Sequence, residues 1–197
     1  MATPMIETQA LQIGRGDRIL FQALDLKLEA GVALHLLGAN GAGKTTLLET
    51  LAGLRRPRGG RISSIQASQL HWLGHRDGLA LELSPLENLK FWCALNAAPQ
   101  DAIGDALQAL DVHRLRFRPC GRLSAGQRRR VALARLLLQQ RPLWLLDEPL
   151  AALDRAGISA FEQLLGAHLA AGGSAIFSSH QSLSADIAGL RSMALQS

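Results

Sequence analysis

Gly38-Ala39-Asn40-Gly41-Ala42-Gly43-Lys44-Thr45 follows the apolar run Val32 to Leu37 and opens a helical pattern from Lys44 to Leu54 that ends before Pro57. The run reads as a buried strand, so the glycine-rich segment is the turn of a strand-loop-helix unit. The segment fits Gly-x-x-x-x-Gly-Lys-Thr in full, and in the structural setting that pattern requires. Glycines let successive backbone amides turn inward on an anion, and the helix N-terminus adds positive potential. Lys44 would reach the β- and γ-phosphates of a nucleotide, and Thr45 would ligate magnesium. An ordinary glycine turn is the competing reading, and the complete pattern in this context argues against it. Gly38, Ala39, Asn40, Gly41, Ala42, Gly43, Lys44, Thr45 and Thr46 are therefore the candidate ATP-binding residues here.

Leu143-Trp144-Leu145-Leu146-Asp147-Glu148 places two carboxylates at the end of an apolar strand. Burying acids there would be costly without a cation, which a metal nucleotide supplies. Asp147 is the candidate magnesium ligand beside Thr45, and Glu148 is placed to polarise a water that attacks the γ-phosphate. Two acids that merely cap the next helix are the alternative.

Apolar runs alternate with helical patterns along the rest of the chain, which predicts an α/β fold with a mostly parallel sheet. Ser84-Pro85-x-Glu87 predicts a capping box opening a helix that carries Leu89, Phe91 and Trp92. A helical pattern spans Asp101 to about Leu115, and Ser124 starts another helix through Arg128 to Arg130. After Leu143 to Leu146 we expect a helix Arg155 to Ala171, a strand Ala175 to Ser178 and a short strand near Ser192 to Leu195. There is no repeat or linker, so the expectation is one domain, residues 1–197, with a helical subdomain of approximately residues 80–140 inserted within it.

Composition narrows the class less. The chain has 197 residues, 48% of them hydrophobic, enough for a buried core. Its net charge of +5 suits nucleic acid, anionic lipid or polyphosphate alike. The run Arg128 to Arg130 lacks interleaved aromatic residues, so it reads as a solvated or phosphate-adjacent helix face and no nucleic-acid partner is expected. Cys93 and Cys120 have no metal-type spacing and read as free thiols of a reducing compartment. Met1 to Gln9 lacks a leader pattern. Gln163 to Ala185 is uncharged, but Gly172, Gly173, Ser174, Ser178, Ser179 and His180 interrupt it, so it reads as helix, turn and strand with no direct membrane span. Haem ligation by His71, His75, His113 or Cys93 is the weaker reading of scattered side chains that are more often structural.

Leu123-Ser124-Ala125-Gly126-Gln127, lying before Asp147, resembles the LSGGQ signature of ATP-binding-cassette proteins with one glycine replaced by Ala125. A plain helix cap is the bland alternative. The resemblance implies a phosphate-loop NTPase of the ABC type, with a small antiparallel β region beside the parallel core. It further implies Ala152-Leu153-Asp154 as the D-loop and His180 as the switch histidine, so that Lys44, Glu148 and His180 form the expected catalytic set. Ser124, Ala125, Gly126, Gln127 and Asp154 would contact ATP held by a second protomer, as a homodimer closed through an ATP sandwich. The family usually stacks an aromatic residue on adenine; this chain has no Tyr, and Arg15 or Arg18 lies nearby. Where a glutamine usually couples the γ-phosphate to the partner, Leu73 to Leu79 offers His75 and Arg76 in an expected surface loop.

Leu73-Gly74-His75, Gly78-Leu79, Glu87-Asn88-Leu89-Lys90-Phe91 and Trp144 to Pro149 together resemble the ATPases of bacterial cytochrome c maturation. That resemblance implies a peripheral protein on the cytoplasmic face of the bacterial inner membrane. Its partners would be an integral CcmB-like permease and other cytochrome c maturation proteins, and its role haem export or ATP-driven release of a haem chaperone. The ATP-binding subunit of another ABC importer or exporter is the alternative, ahead of a soluble ABC ATPase.

Overall fold

The computed structural model describes residues 4–64, 66–184 and 186–195. In chain order the elements are β1 (Ile6–Arg15), β2 (Arg18–Leu28), β3 (Ala33–Leu37), α1 (Lys44–Leu51), β4 (Gly59–Ser64), β5 (Leu70–Leu73), α2 (Pro85–Asn96), α3 (Ile103–Ala109), α4 (Ala125–Leu133), α5 (Arg135–Leu138), β6 (Leu143–Leu146), α6 (Arg155–Ala170), β7 (Ser174–Ser178) and β8 (Leu190–Ala194). They divide into two compact units: residues up to His75 with Arg141–Glu148 and those from Leu164 onward, and Arg76–Gln140 with Pro149–Gln163.

The first unit holds both sheets. One is parallel, in the order β5-β6-β7-β3-β8, and the other antiparallel, in the order β2-β1-β4. Every residue of β6 and β7 is buried, as expected of strands interior to a parallel sheet. Leu36, Leu47, Leu48, Leu143, Leu145 and Ile176 are fully buried in one core, each stabilising the fold by roughly 1.5–3 kcal/mol. That core anchors the two strand ends from which the site is built, those of β3 and β6.

Several elements depart from the sequence expectation. The first helix stops at Leu51, not Leu54: Gly53 turns to φ 74°, the Leu54 amide donates to Glu49 O at 2.9 Å and the Gly53 amide to Thr50 O at 3.1 Å, so the chain reverses early. Asp101 to Leu115 is not one helical run. Helix α3 covers Ile103–Ala109 and ends the same way, with Asp111 at φ 54°, followed by a short 3-10 turn His113–Leu115. Leu73 belongs to β5, so the surface loop begins at Gly74. The last strand starts at Leu190, two residues before Ser192, because its pairing with β3 begins at Ala33↔Leu190. Residues 1–3 of the leader reading and Ala185 of the uncharged stretch lie outside the described residues. Among the described residues no helix is long and apolar enough to cross a membrane.

The second unit contains α2 to α5 and the start of α6. Ser84 caps α2 as expected: its amide donates to Glu87 Oε2 at 2.8 Å, and its hydroxyl accepts from the Glu87 amide at 3.3 Å. The Ser84 hydroxyl also donates to Glu87, and these bonds hold the Glu87 carboxyl below its ordinary pKa. Ser124 opens α4 with the same device, its partner being Gln127.

Candidate nucleotide site

In the first unit β3 delivers the loop Gly38 to Gly43 and β6 delivers Asp147 and Glu148. Gly41 (φ 85°) and Gly43 (φ 94°) take left-handed backbone that side chains rarely adopt, and Gly43 starts α1 with no side-chain cap. The first amides of α1 are thus open to an incoming anion. Thr46 is buried, so what it presents to a ligand is its backbone amide, not its hydroxyl. The Lys44 ammonium donates to the carbonyls of Gly38 (2.6 Å) and Ala39 (3.2 Å), folded into the loop's own concavity.

The two strand ends meet through hydroxyls. Thr45 Oγ1 donates to Asp147 Oδ2 at 2.9 Å, and Ser178 Oγ donates to Asp147 Oδ1 at 2.7 Å. Asp147 is only 1% exposed, a depth at which a carboxylate needs such partners. Ser178 Oγ also accepts from the Glu148 amide at 2.9 Å. Glu148 takes φ 51°, an uncommon conformation for a non-glycine residue. Its Oε1 lies 3.5 Å from His180 Nε2. Lys44, Thr45, Asp147, Glu148 and His180, drawn from three separate parts of the chain, therefore belong to the same unit; Thr45 touches Asp147 and His180 lies beside Glu148, while Lys44 bonds only to its own loop. Ser178 was not among the expected residues. Its signal in the sequence is a hydroxyl that follows the apolar run Ala175 to Phe177, two residues before His180.

Arg15 and Arg18 face each other across the tip of the β1-β2 hairpin, both exposed. Further along β2, Phe21 packs on the phosphate loop, such that a Cβ at Gly43 would lie 3.0 Å from its ring. Arg58 binds the Gly16 carbonyl at the hairpin tip.

In the second unit Ser124, Gly126, Gln127, Asp154 and Arg130 line one cleft. Ala125 is exposed, so its methyl group fits where the signature has glycine, whereas a Cβ at Gly126 would run into the Ala152 carbonyl. Asp154 accepts from the Gly157 amide at 2.9 Å and from Arg130, and these contacts hold its carboxyl below the ordinary carboxylate range. The arginine run is not a solvated face. Arg129 and Arg130 are 2% and 8% exposed, Arg129 pairing with Asp77 at 3.1 Å and Arg130 with Asp154 and Asp111. Arg135 donates to the carbonyls of Asp77 (3.0 Å) and Gly78 (2.7 Å), so that part of the expected surface loop is pinned from below.

A family profile described as "ABC transporter" matches residues 21–151. Among curated relatives, the protein of Hyphomonas neptunium called "Cytochrome c biogenesis ATP-binding export protein CcmA" is 48% identical, the match covering 90% of each chain. The protein of the same name from Pseudomonas fluorescens is 43% identical over 99% of this chain and 98% of its own length. A putative ABC transporter ATP-binding protein of Pyrococcus furiosus has a TM-score of 0.84 at 28% identity, covering 96% of both chains. The ATP-binding cassette MJ0796, solved as a dimer with ADP and phosphate, shares the fold at a TM-score of 0.79 and 21% identity, over 90% of this chain and 88% of that one. The chain is therefore a nucleotide-binding ATPase of the ABC transporter family, and within it belongs to the cytochrome c biogenesis ATP-binding export proteins.

Proposed function

We propose that the chain hydrolyses ATP as one half of a homodimeric ATP sandwich, seated on a CcmB-like permease at the cytoplasmic face of the bacterial inner membrane. Its cycle drives a step of c-type cytochrome assembly, either haem export or release of a haem chaperone. The observation that carries the catalytic part is the chain of contacts Thr45–Asp147–Ser178–Glu148–His180.

Each member has a role. The open amides of α1 bind phosphate oxygens, and Lys44 exchanges its own loop's carbonyls for the β- and γ-phosphates. Thr45 Oγ1 and Asp147 Oδ2 are hard oxygen donors close enough to serve one magnesium ion, whose charge would offset that of the phosphates. Ser178 holds the second Asp147 oxygen and the Glu148 amide, so the metal ligand and the general base keep a constant offset. Glu148 accepts the proton of the attacking water, and His180, beside it, donates to the γ-phosphate.

The base of the nucleotide falls to the hairpin. Arg18 is three residues from Phe21 along an extended strand, hence ~10 Å from the loop wall, about the reach from phosphate to adenine. A guanidinium plane from Arg15 or Arg18 stacks there in place of an aromatic ring.

Ser124, Ala125, Gly126, Gln127 and Asp154 belong to a second phosphate-facing surface, which serves the partner protomer's ATP. Hydrolysis and departure of the phosphate then remove the charge that held the dimer shut. The membrane role is tested by deleting the gene and restoring it in trans. Wild type should restore holo-cytochrome c and Lys44→Ala should not. Normal haem attachment in the deletion strain, with loss of an unrelated transport activity, would move the assignment to another ABC transporter and leave the ATPase chemistry standing.

A further inference from the structure

The strand that delivers the phosphate loop reads Ala33-Leu34-His35-Leu36-Leu37. An imidazole in the middle of an apolar interior strand gives up hydration that a leucine would not have to lose, so its polar atoms need a partner. His35 is 5% exposed and has one. Its Nε2 lies 3.1 Å from the carbonyl oxygen of Ser179, itself 2% exposed. A carbonyl only accepts, so Nε2 carries the proton and donates. The ring also stacks on Phe177, its register partner in β7, with centroids 4.6 Å apart and planes 15° from parallel.

Ser179 is the hinge between the two residues that matter on that side of the site. Ser178 before it binds Asp147 and the Glu148 amide, and His180 after it meets the Glu148 carboxylate. The Ser179 hydroxyl accepts from the Gln181 amide at 2.9 Å, closing the turn around His180. The turn is thus tied at its C-terminal side by its own Ser179 hydroxyl and at its root by a side chain from a different strand.

We propose that His35 is a positioning residue for ATP hydrolysis: from the strand that carries the phosphate loop it holds, through the Ser179 carbonyl, the turn that presents His180. The link is direct in geometry. The phosphate loop begins at Gly38, three residues beyond His35, so the same strand fixes the γ-phosphate cradle and the histidine that must meet it. His35 never touches substrate. It sets the separation between two groups that do, and a displacement of about 1 Å there is enough to lower turnover by up to a hundredfold. Burial keeps its pKa below the usual histidine value, so the ring is neutral at physiological pH.

This inference rests on the hydrolytic reading above, and the test separates the two. Steady-state ATP hydrolysis by the full chain is measured for wild type, His35→Leu, His35→Gln and Glu148→Gln. Leucine keeps the burial and removes the donor; glutamine keeps an N–H at nearly the same reach. His35→Leu should lose roughly ten- to a hundredfold in kcat with KM for ATP within about twofold of wild type, and His35→Gln should recover most of that loss. Wild-type turnover in His35→Leu would overturn the proposal, as would equal losses in both variants or a loss that appears in KM instead of kcat. If His35→Leu does not fold, His35→Gln decides alone, near-wild-type kcat and KM supporting the donor role and a collapsed kcat overturning it. A Glu148→Gln protein that still hydrolysed ATP at the wild-type rate would instead sink the catalytic reading itself.

Discussion

Helices α1 and α4 begin in opposite ways. Helix α1 starts from a left-handed glycine, with no side chain on its first amides. Helix α4 starts from Ser124, whose hydroxyl accepts from the Gln127 amide at 3.2 Å while Gln127 Oε1 accepts from the Ser124 amide at 2.9 Å. The first helix end is left open, with only a ligand to complete it; the second is already closed by its own side chains. An open end binds an anion through backbone amides that nothing else in the helix uses. A closed end can still offer the proton of its serine hydroxyl, since capping occupies a lone pair and not that proton. The two helix starts therefore differ in kind: on the proposed reading, one is a permanent cradle for phosphate and the other a self-sufficient helix that adds a contact when a nucleotide arrives.

The sharpest way to break that comparison is at the catalytic end of the cradle. Glu148→Gln should lower turnover by about 10²–10⁴ while ATP still binds, read by phosphate release against equilibrium nucleotide binding. In that background ATP should drive dimer formation seen by light scattering, and Ser124→Arg should abolish it, because the bulky cation fills the second surface without touching the first.

A smaller effect compares like with like. Ser84 and Ser124 close their helices with the same reciprocal bonds, yet only Ser124 faces the cleft shared with Asp154. Ser84→Ala and Ser124→Ala should each lower the melting temperature by a few degrees. Only Ser124→Ala should also weaken ATP-driven dimerisation. Equal behaviour of the two variants in the dimer assay would mean that the signature serine is a cap and nothing more.

The smallest effect separates the units by pH. Burial lowers the pKa of His35 and of His168, which stacks on Trp144 at 3.8 Å. Both lie in the sheet-bearing unit. Well above about pH 6.5 both are neutral whether folded or not, and their contribution is complete; as pH falls through that value the unfolded chain takes up protons first, and stability drops. Hydrogen exchange should show the amides of β3 and β7 losing protection between pH 7 and pH 5.5 before those of α2. His168→Gln should flatten the pH dependence of the urea midpoint by at most one proton's worth.

What the sequence disclosed follows from how local each device is. Gly38 to Thr45 and Ser84 to Glu87 are legible because every atom of the device lies within a few residues. Asp147 and Glu148 are legible because ending an apolar run on two acids is costly without a cation. The role of Ser178 is not, since its two bonds go to residues some thirty positions earlier. The same holds for Arg129 and Arg130: a triple-arginine run reads as a solvated or phosphate-adjacent face, and its burial shows only once Asp77, Asp111 and Asp154 are brought to it. Strand β5 hid because Leu70 to Leu73 is too short to show a period. The ends of α1 and α3 are not legible either, because apolar spacing continues past the residue that turns left-handed, Gly53 in one and Asp111 in the other.

Glu148 holds its left-handed backbone against a local preference of about 1–3 kcal/mol, and glycine alone would adopt it without that strain. Evolution toward heat resistance and evolution toward turnover therefore pull this one position apart. A library selected only for survival at high temperature should accumulate glycine at position 148 and arrive at well-folded, inert proteins. On the hydrolytic role proposed for Glu148, the cell's requirement for work done on ATP is what keeps the strained acid in place.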